Sequence, residues 1–311
     1  MLLALSLTPY AWTKVFHTQM GYSDYADALV QYGEMSPMGL LWRFMAFSPT
    51  VQLLAGLAEL LAVILLLFRR TAWLGALIAA LDMGVVFLLN LTFDVPVKQL
   101  SGAMTLVALI LLIPNLGRFV SFLLGRPTRA AVNGRIWKNR KFIAITRWTS
   151  PALGLVIIAA GGLAVGSTFG WGQAGEPTAL SGVYSAAAEG TATDIEGTGH
   201  TTDDITQIAF SQHSVNGYSR VSLRYSNGDY QDGTYSIDGD SVFLKLFPIR
   251  QGAQGLIRDY ESEIGFEYTR LGDDGFRLNS DGAEVTIRSD AERRFLFDRG
   301  FHWESDVPIN R

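Results

Sequence analysis

Two carboxylates stand where an apolar run offers them no water. Glu59 lies in GLAELLAVILLLFRR and Asp82 in LIAALDMGVVFLLN. A charged side chain at the centre of a bilayer costs about 2.5 kcal/mol or more, so acids there face protein, take up a proton or line a functional path. Glu59 precedes the Arg69 and Arg70 turn by about ten residues and Asp82 follows it by about twelve. At about 1.5 Å per residue they fall within about 3 Å of one depth. If they meet, a low-dielectric site makes them share a proton, which suits proton exchange with a quinone-like or other polar ligand. They are the candidate catalytic residues. The plainer alternative is that each acid sits protonated and hydrogen-bonded to a neighbouring helix, holding a bundle together. Asn90, about two turns beyond Asp82, either extends a polar path outward or makes a packing hydrogen bond. With Asp94 and Lys98 in NLTFDVPVKQLS it forms the candidate ligand-binding set.

The elements that would position these groups are apolar helices. A hydrocarbon core of about 30 Å needs roughly 20 apolar residues, and residues 50–68, 71–93, 100–117 and 151–171 supply them, with 2–16 as a shorter fifth span. Lys and Arg near span ends stay on the cytoplasmic side. Arg69 and Arg70 mark one inner turn, and the bases from Arg118 to Arg147 mark another, with no acid between Asp94 and Glu176. Residues 21–49 and 94–98 hold Asp24, Asp27, Glu34 and Asp94 against only Arg43 and Lys98, so they lie outside, with Lys14 as the lone exception. The expected topology is a bacterial inner-membrane protein with its N-terminus inside and its C-terminal domain outside. Ser36 with Pro37, and Ser48 with Pro49, read as helix starts, the hydroxyl capping free N–H groups and the proline suiting the first turn. The first of these helices, near 37–47, is expected at the outer interface.

Composition divides the chain at the same place. Residues 1–171 hold thirteen Lys and Arg against six Asp and Glu, a balance of +7, and residues 172–311 hold twelve against twenty-three, a balance of −11. The basic stretch IWKNRKFIAITRW interleaves aromatics with bases, but between two spans it reads as a contact for anionic headgroups, not nucleic acid. No cysteine is present, which excludes disulfides, thiolate metal sites and CxxC redox chemistry. A redox role then needs a bound cofactor, such as a non-covalent quinone, or a separate redox subunit.

NLTFDVPVKQLS, together with YGEMSPMGLLWRFMAFSP, GLAELLAVILLLFRRTAWLGAL and RGFHWESDVPINR, resembles the DoxX-like membrane proteins, in particular the long bacterial form with a C-terminal soluble domain. The resemblance covers about residues 10–126 and 299–311. It implies a four-helix membrane bundle with a GxxE motif, here Gly56 to Glu59, inside it. It also implies kinship with thiosulfate:quinone oxidoreductase subunits and membrane redox components that work with separate catalytic partners. Longer relatives carry residues before the point where this chain starts, so the first span is expected to be the latter part of a helix. Asp82 occupies a position expected to be apolar in relatives, which makes an acid pair particular to this chain.

From Leu180 onward apolar and polar residues alternate in short runs, the pattern of antiparallel strands. Eight are expected, at 181–188, 205–212, 219–225, 232–237, 241–247, 263–271, 275–279 and 283–288. SNGD, DGDS, GDDG and SDGA supply the turns between them. A small barrel or sandwich follows, one form of which is a lipocalin-like cup for an apolar ligand. GTGHTTDD, with His200, Asp203 and Asp204, is read as a mobile loop, with sparse metal ligation as its alternative. The tail at 299–311 reads as a closing strand and plug, or as a lid. The expected organisation is a helical bundle at 1–125, a basic linker at 126–148, a further span at 149–172 and an acidic β domain at 178–311. Two functions are open. One is an accessory or quinone-interacting component of a membrane redox complex; the other is a non-enzymatic anchor presenting a ligand-binding or partner-binding β domain.

Overall fold

The computed structural model describes residues 1–127, 140–169, 177–215, 218–249, 260, 262–272, 274–280 and 282–299. Two compact units form, Met1–Gly21 with Pro37–Gly172, and Tyr22–Ser36 with Gln173–Arg311. The first is helical: α1 (Leu2–Val15), α2 (Pro37–Phe47), α3 (Pro49–Leu67), α4 (Ala72–Thr92), α5 (Lys98–Leu112), α6 (Leu116–Leu123) and α7 (Arg140–Phe169). Four stretches, Pro49–Leu67, Ala72–Thr92, Lys98–Leu123 and Trp148–Thr168, are long and apolar enough to cross a membrane. Helix α1 is only 14 residues long, yet Leu7 and Ala11 are fully buried, because it packs against both α3 and α7. At the start of α3, Ser48 Oγ accepts from the Val51 N–H at 3.4 Å and Pro49 fills the first turn.

One boundary differs from the sequence reading. Helix α7 begins at Arg140, eleven residues before the expected start at 151, and carries Pro151 within it. A proline deletes one backbone donor of a helix without erasing the remaining ladder. The rest of the basic linker, residues 128–139, and the tail from 300 onward lie outside the described residues.

The second unit is a closed antiparallel barrel of eight strands: β1 (Gly182–Gly190), β4 (Ile205–Val215), β5 (Tyr218–Tyr225), β6 (Tyr230–Asp238), β7 (Ser241–Leu246), β8 (Ser262–Leu271), β9 (Gly275–Ser280) and β10 (Ala283–Ser289). The order is β1-β10-β9-β8-β7-β6-β5-β4, and β1 closes the ring by pairing with both β10 and β4. Gly239, at φ +58° in the DGDS turn, takes the left-handed conformation a two-residue hairpin needs. Alternate residues point inward, and Phe210, Leu223, Leu244, Leu246, Leu278 and Ile287 form one buried cluster, each 1% exposed or less. An eight-stranded barrel is just wide enough for such side chains to fill it. GTGHTTDD is not a bare loop: β2 (Asp194–Ile195) pairs with β3 (His200–Thr201). The His200 ring stacks on Tyr225 at 4.0 Å and shares a 3.1 Å hydrogen bond with Asp229. Among the described residues no cluster of three His, Cys, Asp or Glu is arranged to hold a metal ion.

The excursion Tyr22–Ser36 belongs to this β unit, which the sequence reading did not anticipate. It lies along the outer wall, where residues alternating with the inward Val221 and Leu223 point away from the core. Arg224 donates two bonds of 2.7 Å to Glu34, one of 2.8 Å to the Gly228 carbonyl and another to the Leu29 carbonyl. Arg220 forks onto Asp27 at 3.1 and 3.3 Å. Asp24 accepts from the Gln212 and His213 N–H groups at 2.7 and 3.0 Å. These amides fall where the β4–β5 register shifts between Phe210 and Ser214, and a bulge leaves such donors without a ladder partner. Tyr25 donates to Asp298 at 2.5 Å, at the end of α8 (Ala291–Asp298).

Arg224→Met, which keeps volume and removes the fork, is expected to destabilise the β unit by about 1 to 3 kcal/mol, with partial solvation of Glu34 keeping the loss modest. The readout is the unfolding midpoint of the full chain in detergent. The hydrogen bonds from Arg224 hold the Glu34 carboxyl below its ordinary value of 4.5. This stabilisation is therefore complete above that ordinary value and is lost as pH falls through the lower folded value. Protease cutting within residues 22–36 should rise on acidification below about pH 4.5, and a wild-type cutting profile in Arg224→Met would show the clip to be inert.

Candidate functional site

The site is built from a close helix crossing. A Cβ placed on Gly56 would stand 2.8 Å from the Ala11 carbonyl oxygen and 2.9 Å from the Val15 nitrogen, so only glycine lets the backbone of α1 come so near α3. One turn further along α3 is Glu59. On α1 the spacing Leu7, Ala11, Lys14 follows a single helical face, which carries Lys14 to the same crossing. His17, at φ +56°, then ends α1 with the Thr18 N–H bonded to the Thr13 carbonyl at 2.8 Å, the backbone pattern of a tight helix stop.

The result is a buried ion pair, with Lys14 Nζ 2.5 Å from Glu59 Oε1 and the residues 5% and 1% exposed. This corrects the expectation that Glu59 shares a proton with Asp82: its hydrogen-bonded partner is Lys14. The close approach of α1 supplies a cation that two carboxyls alone would lack. It also explains the one base that broke the charge pattern, because Lys14 faces protein and says nothing of sidedness.

Glu59 and Asp82 do line one cavity of about 250 Å³, together with Lys14. Glu59 Oε2 and Asp82 Oδ2 are buried there without a hydrogen-bond partner among the described residues. Much of the remaining lining is apolar: Leu41, Trp42 and Met45 from α2, Met83 and Val86 from α4, and Met104 from α5. Asn90 lines the cavity and donates to Ser101 Oγ at 3.0 Å, the packing hydrogen bond of the second reading. Asp94 and Lys98 do not line it. They form an ion pair with each other in the α4–α5 turn, Asp94 at φ +52° and largely exposed, so the structure places them apart from Asn90 in role.

The arrangement offers one ammonium and two free carboxyl oxygens in a cavity whose lining is otherwise largely apolar. It suits a molecule with a hydrogen-bonding head and an apolar body. Sequence reasoning missed Lys14, and its signals were the helical spacing from Leu7 and its conflict with the surrounding charge pattern.

No protein-family model matches the chain. It is similar to the uncharacterized protein YwoB of Bacillus subtilis (strain 168), 33% identical over 106 residues that make up 31% of this chain and 69% of that protein. Among solved structures it is similar to an uncharacterized protein from Bacteroides eggerthii DSM 20697, at a TM-score of 0.22 and 16% identity over 36% of this chain and 99% of that one. It is also similar to a lipocalin-like protein from Bacteroides uniformis ATCC 8492, at a TM-score of 0.24 and 18% identity over 36% of this chain and 98% of that one. At such scores the barrel rests on its own strand pairing.

Removing one partner of a buried ion pair strands the other. Lys14→Met and Glu59→Gln are each expected to lower stability by about 3 to 5 kcal/mol, while the double variant recovers much of the loss. Thermal unfolding of the four proteins in one detergent measures the coupling. Additive losses would mean that the two side chains do not act as a pair.

Proposed function

We propose that this chain, which belongs to the family of the uncharacterized protein YwoB, is a multi-pass membrane protein whose helical unit binds the polar head of an amphiphile beside Lys14, Glu59 and Asp82. The observation that carries this reading is the cavity itself: an ammonium and carboxyl oxygens that are buried and unpartnered among the described residues, in a largely apolar chamber. The membrane setting is supported by the exposed flanks of the helices, where Leu54, Leu57, Leu61, Leu88, Leu106 and Leu109 are each 46% exposed or more, a larger apolar surface than a chain in water presents.

A quinone is the ligand class that the DoxX-like resemblance supplies, and the Lys14 ammonium is a suitable donor to a quinone carbonyl. In that form the protein is an accessory component of a membrane redox complex, and electrons come from a separate subunit. The bases of Arg69, Arg70 and the loop after α6 support an inner-membrane orientation with the β unit outside. The strap at Tyr22–Ser36 shares a compact unit with the barrel, and the four long apolar helices lie between them in the chain. Four crossings return the chain to the side it left, a topology that the shared unit supports.

The strap also favours a second reading, in which the bundle anchors a partner-binding barrel. The barrel interior is occupied by its own side chains, so a lipocalin-like cup is the less suited form of this reading and the outer wall the better one.

Purification of the full chain in mild detergent, followed by mass spectrometry of co-purifying small molecules, is expected to recover an amphiphile that Glu59→Gln loses. An identical set of molecules from both proteins would refute the cavity as its site. For orientation, Ser226→Cys, at an exposed turn, should react with an impermeant thiol reagent on intact cells, and reaction only after lysis would invert the topology.

A further inference from the structure

We infer that the head group this cavity selects is a monocation, and that Asp82 is its principal counter-charge. The inference rests on the reading of the cavity as an amphiphile site and names the chemistry of its ligand. The charge count carries it. Lining residues come from every surrounding element: α1 contributes Lys14 and the neutral Tyr10, α3 contributes Glu59, and α4 contributes Asp82. The lining residues of α2 and α5 carry no charge. Lys14 and Glu59 cancel at 2.5 Å, which leaves one carboxyl in excess among the described lining residues.

An unbalanced carboxylate between apolar walls is resolved by a proton or by a cation. The geometry leaves room for the second. Glu59 is 1% exposed and has spent one oxygen on Lys14, yet its other oxygen is free, as is Asp82 Oδ2. Two unpartnered acceptors lining one chamber define a place for a positively charged head. Trp42 and Tyr10 line the same chamber, and aromatic faces attract cations. Met20, Met45, Met83 and Met104 line it as well, and methionine reshapes easily around apolar bodies of different outline. The ligand class is therefore a small amphiphile with one positive nitrogen. Proton and ligand compete for the same carboxyl, so binding weakens on acidification. A neutral head, a quinone included, leaves the charge of Asp82 unanswered.

The test uses the full chain in phosphatidylcholine nanodiscs and three probes: 1-octylpyridinium, whose charge does not change with pH, the uncharged octylbenzene, and a decyl-substituted benzoquinone. Octylpyridinium is expected to bind at least about tenfold more tightly than octylbenzene at neutral pH, and to weaken as pH is lowered. Asp82→Asn should erase the preference and Asp82→Glu should keep it. Equal affinity for octylpyridinium and octylbenzene, or a preference that survives Asp82→Asn, overturns the inference. Binding of the benzoquinone alone also overturns it but leaves the amphiphile site standing. Failure of all three probes to bind removes the proposed function along with the inference.

Discussion

The helical unit depends on one buried ion pair. An ammonium and a carboxylate each lose several kcal/mol on leaving water, and only close mutual contact offsets that loss. Lys14 and Glu59 make this contact because Gly56 lets α1 lie against α3. The pair explains why a helix of 14 residues is so deeply buried, since without it α1 would bring an unmatched charge into the bundle. Once α1 is seated, α7 follows. The Trp12 indole donates to the Ile158 carbonyl at 2.9 Å, and Gly162 leaves space for the indole ring.

The β unit solves a related problem at its surface. A barrel removes sheet edges but not the backbone donors freed by a bulge, and Asp24 satisfies the two freed at Gln212 and His213. The arginines on β5 face outward by the two-residue period of a strand, where charged groups are ordinarily left to water. Here they are engaged by Asp27, Glu34 and the Leu29 carbonyl, which gives an otherwise irregular segment a defined path. That segment is continuous in sequence with Gln19 and Met20 on one side and α2 on the other, all of which contribute to the cavity lining.

Most of the fold was legible in the sequence because it follows from short-range periodicity. All eight barrel strands sit where alternation placed them, and four helices sit where apolar length placed them. What periodicity does not encode is partnership across long separations. Arg224 and Glu34 are 190 residues apart and nothing local to either names the other. Lys14 was read as a topology signal because that rule counts charges by loop, and it cannot see a charge neutralised from another helix. Helix α8 is short, eight residues with its charged and apolar halves in blocks, so its one local signal is the Asp290 cap, which accepts from the Arg293 N–H at 3.2 Å. In the candidate site both acids were legible from their cost in an apolar run, and only Lys14, the partner of Glu59, was not.

Asn90 and Asp82 show how structural and ligand-directed polar groups can be told apart in this cavity. They lie on the same helix and line the same chamber. Asn90 donates to Ser101, which in turn bonds the Val97 and Lys98 carbonyls, so a polar group brought into an apolar place has been satisfied by its neighbours. That is what a residue needs if its task is to hold helices together. Asp82 keeps a buried oxygen unmatched, as does Glu59 after its bond to Lys14. Native interiors rarely leave acceptors in that condition without a further partner. An acid retained only for packing would be replaceable by an apolar residue of similar size at a gain in stability. Two free acceptors beside a neutralised lysine are instead what the proposed monocation site requires.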